Sequence, residues 1–502
     1  MVCNEACRII KALTQPELDT DVLNGMRALR LGATICALVV GGCSTSALAH
    51  LSRPVRLPST GYSWQFAIDR GGHAIAVDGS NSGALLYSLG RGTRFNRSWP
   101  IAVTGGYSLH LPGRDISFGA GDRVAIGLRY IDGTAPASEA EHGAGACCTR
   151  AAVAAWQLGE VPPIAQTLSP QRSTLDGFQK EPGIPSVVVD RSTTTAIWSV
   201  GGNGEPPERG PAELDEGFGT VGGPLQVRPL ATASNGIDDY ILTRTARGVP
   251  VAAWLENGHR LRVVTGSAGG ALHRSGGSQT VRRRSSLEQF EDLGFNELGG
   301  DFGFSADGAG DIVFWYVTAT AQPGREELFA MTSTEGHAFT RPRLLAVIPG
   351  AGRGALVVTG AGRSLLAFWE WEDRHETGHL QAAFGHINAR LVKSKSVLVG
   401  PFGGEATGFV GRNAAYVIYR RWLASYNREG QQRFRLEFTR SSIGHAFGKP
   451  RPFAPRLRGC GVNTAFELPV PEERLIATSL DGYAIVNLVC EGGAEYIVRY
   501  SP

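Results

Sequence analysis

GAGRSLLAFWEW, residues 360–371, decides the fold. Two glycines make a tight turn, and Leu365 to Trp369 follow as an unbroken apolar run. A run that short between turn signals reads as a buried strand rather than a helix. The same turn-then-strand unit returns along the chain. It is found at RGGHAIAVDG (70–79), AGDRVAIGLRY (120–130), DRSTTTAIWSV (190–200) and TARGVPVAAWLENG (245–258). ADGAGDIVFWYV (306–317), VGRNAAYVIYRRW (410–422) and SLDGYAIVNLVC (479–490) complete eight copies. Their spacing of roughly 50 to 70 residues is that of a repeat fold.

A second repeat lies about 20 to 25 residues after the first unit. TSTEGHAFTRPRLLA (332–346) matches TRSSIGHAFGKPRPFA (439–454), and LGRGTRFNRSWP (89–100) is a weaker third copy. Each repeat therefore reads as four strands. One precedes the tight turn, one ends in the aromatic, one begins the next hairpin, and the last lies near the Phe. A lone four-stranded antiparallel sheet leaves apolar faces exposed, whereas sheets stacked around an axis bury them against one another. The expectation is an all-β chain, a β-propeller of seven or eight four-stranded antiparallel blades. Trp198, Trp254, Trp315 and Trp369 are assigned to packing between blades. The segment after 474 supplies three strands of the last blade, and residues 51–60 supply the fourth and close the ring.

The 502 residues include 67 Gly and 42% apolar residues, so the chain can build a large core. A net charge of +3 gives no field that selects nucleic acid. Met26–Arg30 is a basic start, Leu31–Gly42 an apolar run, and Ala47-Leu48-Ala49 a small-x-small cleavage site. The expected organisation is a mis-assigned start or N-terminal extension at 1–25, a signal peptide at 26–49, and a single propeller domain at 50–502. An alternative reads Val40–Cys43 as a lipobox, with Cys43 carrying a lipid anchor. Export implies oxidising surroundings, an extracellular or cell-envelope location, and disulfides. Cleavage leaves four cysteines, Cys147, Cys148, Cys460 and Cys490. Cys460 and Cys490 flank one hairpin region and are expected to pair. Cys147 and Cys148 are left as a strained vicinal disulfide or as two thiols.

The Gly-His-Ala-Phe segments resemble degenerate Asp-boxes, the Ser-x-Asp-x-Gly-x-x-Trp turns of sialidase-type propellers. Ser333 and Ser441 hold the Ser, Gly336 and Gly444 the Gly, and Phe339 and Phe447 the aromatic, while the Asp is missing and Glu335 stands one place off. The resemblance is to secreted bacterial sialidase-like repeat proteins. It implies a ligand face at the loops joining second and third strands, here 318–327, 372–379 and 423–432. Trp371, Trp422 and Tyr426 near those loops are the candidates for stacking on sugars. A true sialidase needs an arginine triad, a Tyr nucleophile with a Glu partner, and an Asp acid/base. Val55-Arg56-Leu57-Pro58 resembles its Arg-Ile-Pro motif.

His375-Glu376-Thr377-Gly378-His379 spells HExxH, which on a helix would set two zinc ligands one turn apart with a general base between them. The repeat places strands on both sides, so HETGH falls in a hairpin loop, where His375 and His379 remain candidate metal ligands. Asp307-Gly308-Ala309-Gly310-Asp311 reads as a turn rather than a calcium loop. Stretches 131–146, 201–218 and 273–300, the last with Arg282–Arg284, read as loops inserted between strands, where such folds carry function. The functional expectation is an exported, non-catalytic, monomeric binding or scaffold protein without cofactors, its partner a glycan, an envelope polymer or a protein. The alternatives are a sialidase-type glycoside hydrolase and a metal-dependent hydrolase at HETGH.

Overall fold

The computed structural model describes residues 50–57, 64–80, 83–90, 97–103, 106–132, 149–168, 182–201, 210–273, 277–281, 302–349, 351–426, 432–462 and 476–502, with interruptions of one to four residues in the last four stretches. His50–Pro502 is one compact unit. The signal-peptide, lipobox and start-site readings, and Cys147 and Cys148, lie outside the described residues.

The strands form eight antiparallel sheets in chain order, one per repeat. Six are four-stranded meanders, those at 351–399 and 460–501 carry five and six strands because an edge position is split, and they are numbered here as blades 1 to 8. Blade 6 shows the plan. Ala351–Gly360 pairs with Ser364–Glu372, which pairs with Gly378–His386, which carries the short outer strands Val392–Lys393 and Leu398–Val399. The quoted stretch is thus the first turn and second strand of this blade. First strands touch their neighbours all the way round, and Trp64–Ile68 of blade 1 meets both Gly106–Phe118 of blade 2 and Ile476–Thr478 of blade 8. These contacts close an eight-bladed propeller.

Closure uses both ends of the unit. In blade 8, Ala484–Cys490 pairs with Glu495–Ser501, and His50–Leu51 and Val55–Arg56 add to its outer edge. Capturing the far terminus satisfies the backbone groups that an open last blade would leave bare. Cys460 and Cys490 are bonded, joining the first and second strands of this blade.

Side chains alternate across each strand, so every blade offers one face to each neighbour. Val313, Trp315 and Leu328 of blade 5 share a cluster with Leu365, Ala367, Trp369 and Trp371 of blade 6. Leu366, Phe368 and Phe384 of blade 6 face Ala415, Val417 and Tyr419 of blade 7. Trp198, Trp254, Trp315 and Trp369 are all at most 3% exposed, as core packing requires. They do not occupy equivalent places, however. Trp198, Trp254 and Trp369 face the preceding blade, and Trp315 faces the following one. The turn before Trp315 is two residues longer than that before Trp369, spanning 307–311 rather than 361–363. Aligning copies on their aromatic ends pairs residues that look opposite ways.

The Gly-His-Ala-Phe segments form third-to-fourth-strand turns. Ser333 and Ser441 donate to the carbonyls of His337 and His445, at 2.6 and 2.7 Å. Gly336 holds φ +80°, and a Cβ there would strike the Thr265 side chain of blade 4. The hydroxyl thus supplies the turn-closing bond without the missing Asp. Two loop readings need correction. Ala212–Thr220 is the third strand of blade 3, so the loop expected at 201–218 ends before it. Gly277–Thr280 is the fourth strand of blade 4, so the insertion expected at 273–300 begins after it.

Candidate functional site

In blades 5, 6 and 7 the second strands end at Ala319, Glu372 and Tyr426 and the third strands begin at Arg325, Gly378 and Gln432, as the repeat requires. The HETGH segment therefore spans a hairpin turn and the start of a strand, with no helix to align the two His side chains. Asp373 organises that turn. Its carboxylate accepts the amides of His375 at 2.8 Å and Thr377 at 3.0 Å, and meets Nε2 of His379 at 3.1 Å. The His379 ring stacks on Trp371 with centroids 4.7 Å apart. His379 is thereby held by an acid and an indole, and His375 is exposed.

The His379 hydrogen bond first, then the two amides, hold the Asp373 carboxyl down at about 2. Its folded pKa lies below the ordinary value of 3.8, so its contribution is present at neutral pH and is lost as pH falls from about 4 through about 2. In a carboxyl-carbon NMR titration, Asp373 is expected to titrate near 2 and to move toward the ordinary value in His379→Ala. An ordinary midpoint in the unaltered protein would remove the assigned hydrogen bonds.

Trp371 is 7% exposed and belongs to the seam with blade 5. Trp422 is half-buried near the end of the second strand of blade 7. It meets Phe434 edge-on at 5.7 Å, and the Arg420 guanidinium lies 4.0 Å from the Phe434 ring and 5.6 Å from Trp422. Even-numbered residues of this strand share the face of Tyr416, which packs on Tyr500 of blade 8. Trp371 and Trp422 thus look toward blades 5 and 8 respectively, with the bodies of blades 6 and 7 between them, and form no common platform. Tyr426 pairs with Gln432 beside the loop.

The opposite face of blade 7 carries a charged cluster that the repeat pattern did not single out. Glu437, 2% exposed, accepts from Tyr419 at 3.2 Å and from Nε of Arg435 at 2.7 Å, with Arg421 at 3.5 Å. Tyr419 and Glu437 pair across the strands, as do Arg421 and Arg435, and strand register was the missing information. This cluster brings together Tyr, Glu and Arg, residue types that the sialidase resemblance implies for a site. Tyr419 is fully buried, and burial, then the Glu437 charge, pushes its phenol above the usual range. The two arginines bind Glu437. Arg56 lies on the outermost strand of blade 8, the strand farthest from the axis, rather than on an opening inner strand.

A related arrangement lines a cleft of about 230 Å³ between blades 3 and 4, where Glu256 accepts from Arg262 at 2.9 Å and from the Trp254 indole at 3.1 Å. Among the described residues one group of metal-capable side chains converges. Asp69, His73 and Asp122, in the first turns of blades 1 and 2, place donor atoms within 4.8 Å of one another. The Asp69 carboxylate already closes its own turn, accepting the His73 amide at 2.7 Å and meeting its Nδ1 at 2.9 Å. Arg282–Arg284 lie outside the described residues.

No family model matches the chain, and no curated protein matches it. Solved structures do. A polysaccharide lyase, an ulvan lyase bound to -[GlcA(1-4)Rha3S]-, is similar over 84% of this chain and 95% of its own, at 10% identity and TM-score 0.41. A Hadza microbial sialidase is similar over 61% of this chain and 63% of its own, at 10% identity and TM-score 0.34. A Trypanosoma rangeli sialidase is similar over 67% of this chain and 59% of its own, at 11% identity and TM-score 0.33. Likeness at this level assigns no substrate to this chain, and the architecture rests on its own strand pairing.

Proposed function

We propose that this chain is an exported, non-catalytic propeller that binds a saccharide of the cell envelope or its surroundings, with Trp422 as the principal contact. The observation that carries the reading is the Trp422–Phe434–Arg420 cluster. An indole held at a hairpin end by a ring edge and a guanidinium is already ordered, so contact with a sugar's apolar face costs little conformational entropy. Hairpin connections on a rigid ring are where such a contact reaches a ligand without disturbing the core.

The test is calorimetric titration of envelope polysaccharide fragments into wild-type protein, Trp422→Ala and Trp422→Phe. Trp422→Ala is expected to weaken binding about tenfold, roughly 1.4 kcal/mol, with Trp422→Phe retaining most of it. Equal affinities in all three proteins would sink the proposal.

A further inference from the structure

A second site emerges where the closing segment meets blade 7. Leu51, Ser52, Arg53 and Pro54 form one wall of a groove of about 270 Å³, and Pro452 to Arg456 form the other, with Val498 between them. Both walls are fixed by backbone bonds. The Ser52 amide donates to the Arg499 carbonyl at 2.7 Å, the Phe453 amide to Leu436 at 2.9 Å, and the Leu457 amide to Ala454 at 2.9 Å. Phe453 is buried against Phe438, with centroids 6.0 Å apart. Proline fixes φ, so Pro54, Pro452 and Pro455 stiffen the rims. Ala454 holds φ +46°, a backbone that a side-chain-bearing residue rarely adopts.

Arg53 and Arg456 are exposed, one on each wall, and neither makes an ion pair among the described residues. Their surroundings are basic. From 402 to 457 the sequence carries ten Arg or Lys against three acids, although the whole chain totals only +3. The remainder of the chain is therefore net acidic, and blade 7 is a local positive field. Of its acids, Glu437 is already neutralised by Arg435 and Arg421 on the other face.

From this we infer that the groove between the closing segment and blade 7 binds acidic residues of a polysaccharide, Arg53 and Arg456 taking the anionic groups and the exposed rings of Pro452 and Pro455 taking the apolar face of the sugar. The inference stands on the groove's own residues and does not require Trp422, which lies beyond it along blade 7. A guanidinium pairs with carboxylate or sulfate through two parallel hydrogen bonds, which lysine cannot match. A stiff groove pays little ordering cost on binding. Duplex nucleic acid would instead draw on the whole basic blade and show a steep salt dependence.

The probes are an oligogalacturonate, a heparin oligosaccharide, a neutral maltooligosaccharide and a short DNA duplex, titrated at low and at physiological ionic strength. The proteins are wild type, the double variant Arg53→Glu/Arg456→Glu, Trp422→Ala, and Arg247→Glu as an exposed charge control in blade 4. The expected result is that one of the acidic saccharides binds and that the double variant weakens it at least tenfold. Arg247→Glu should leave that binding unchanged, and the neutral sugar should not depend on Arg53 and Arg456. Thermal melting of the double variant should match wild type, since both substituted side chains are in solvent. Failure of both acidic saccharides to bind, equal weakening by Arg247→Glu, or DNA binding that is lost in parallel would each overturn the inference. Loss confined to Trp422→Ala would overturn it as well while upholding the saccharide reading above. Loss confined to the double variant would do the reverse.

Discussion

Trp369→Ala is expected to destabilise the propeller by about 3–5 kcal/mol, the range for deleting a buried indole. The side chain is 1% exposed and is clamped between Val313, Trp315 and Leu328 of blade 5 and Leu365 and Ala367 of its own blade. Neighbouring blades are held by pairing within themselves, so the seam can collapse only a little onto the cavity. The indole N–H makes no hydrogen bond among the described residues. The ring therefore contributes through burial alone, and Trp369→Phe is expected to cost distinctly less than Trp369→Ala. Guanidinium unfolding followed by circular dichroism measures both. An Ala variant within 1 kcal/mol of wild type, roughly the effect of a surface change, would mean that this seam does not carry the ring.

The second large effect runs the other way. Asp307→Asn is expected to stabilise the protein at neutral pH by up to about 3 kcal/mol, the equivalent of a two-unit shift. Asp307 sits in the first turn of blade 5, is 8% exposed, and accepts the Ala309 amide at 2.7 Å and the Asp311 amide at 3.1 Å. Burial raises its carboxyl from 3.8 to about 6, with the neighbouring Asp311 charge adding to the rise against the amides and Arg363. Between about pH 4 and pH 6 the folded state therefore holds a proton that the unfolded state has released. Stability falls as pH rises through that window and stays lower above it. Asparagine keeps an oxygen for both amides and carries no charge to bury. Melting at pH 4 and pH 7.5 should show the variant's advantage only at the higher pH. An equal difference at both would show that ionisation is not its source.

Asp307 also shows how far a sequence reading reaches. Asp-Gly-Ala-Gly-Asp is a turn from its residues alone, and it is one in the structure. Its depth follows from the neighbouring blade. Arg363, in the first turn of blade 6, bonds Asp311 at 2.5 Å and 3.1 Å across the blade boundary. No local pattern encodes that contact. The charged cluster at Tyr419, Arg421, Arg435 and Glu437 is a similar case. Its members lie on two strands, and only their register shows that they share a face.

By itself, the sequence determined the strand period, the eight turn-and-strand units, the use of residues after His50 to close the ring, and the pairing of Cys460 with Cys490. The period, the units and the cysteine hairpin follow from local physics, since glycine turns, alternating apolar residues and spacing repeat within a window of about 50 residues, and the closure follows from the one strand that the last repeat lacks. Tertiary structure alone decided which way each side chain faces, because alternation along a strand gives it two faces but does not say which neighbouring blade each face meets. It put Trp315 against the following blade, turned Trp371 and Trp422 away from each other, and moved Arg56 to the outer rim. It also set Arg53 and Arg456 on the two walls of one groove, residues that the chain separates by most of the ring, because the last blade is completed by the first strand.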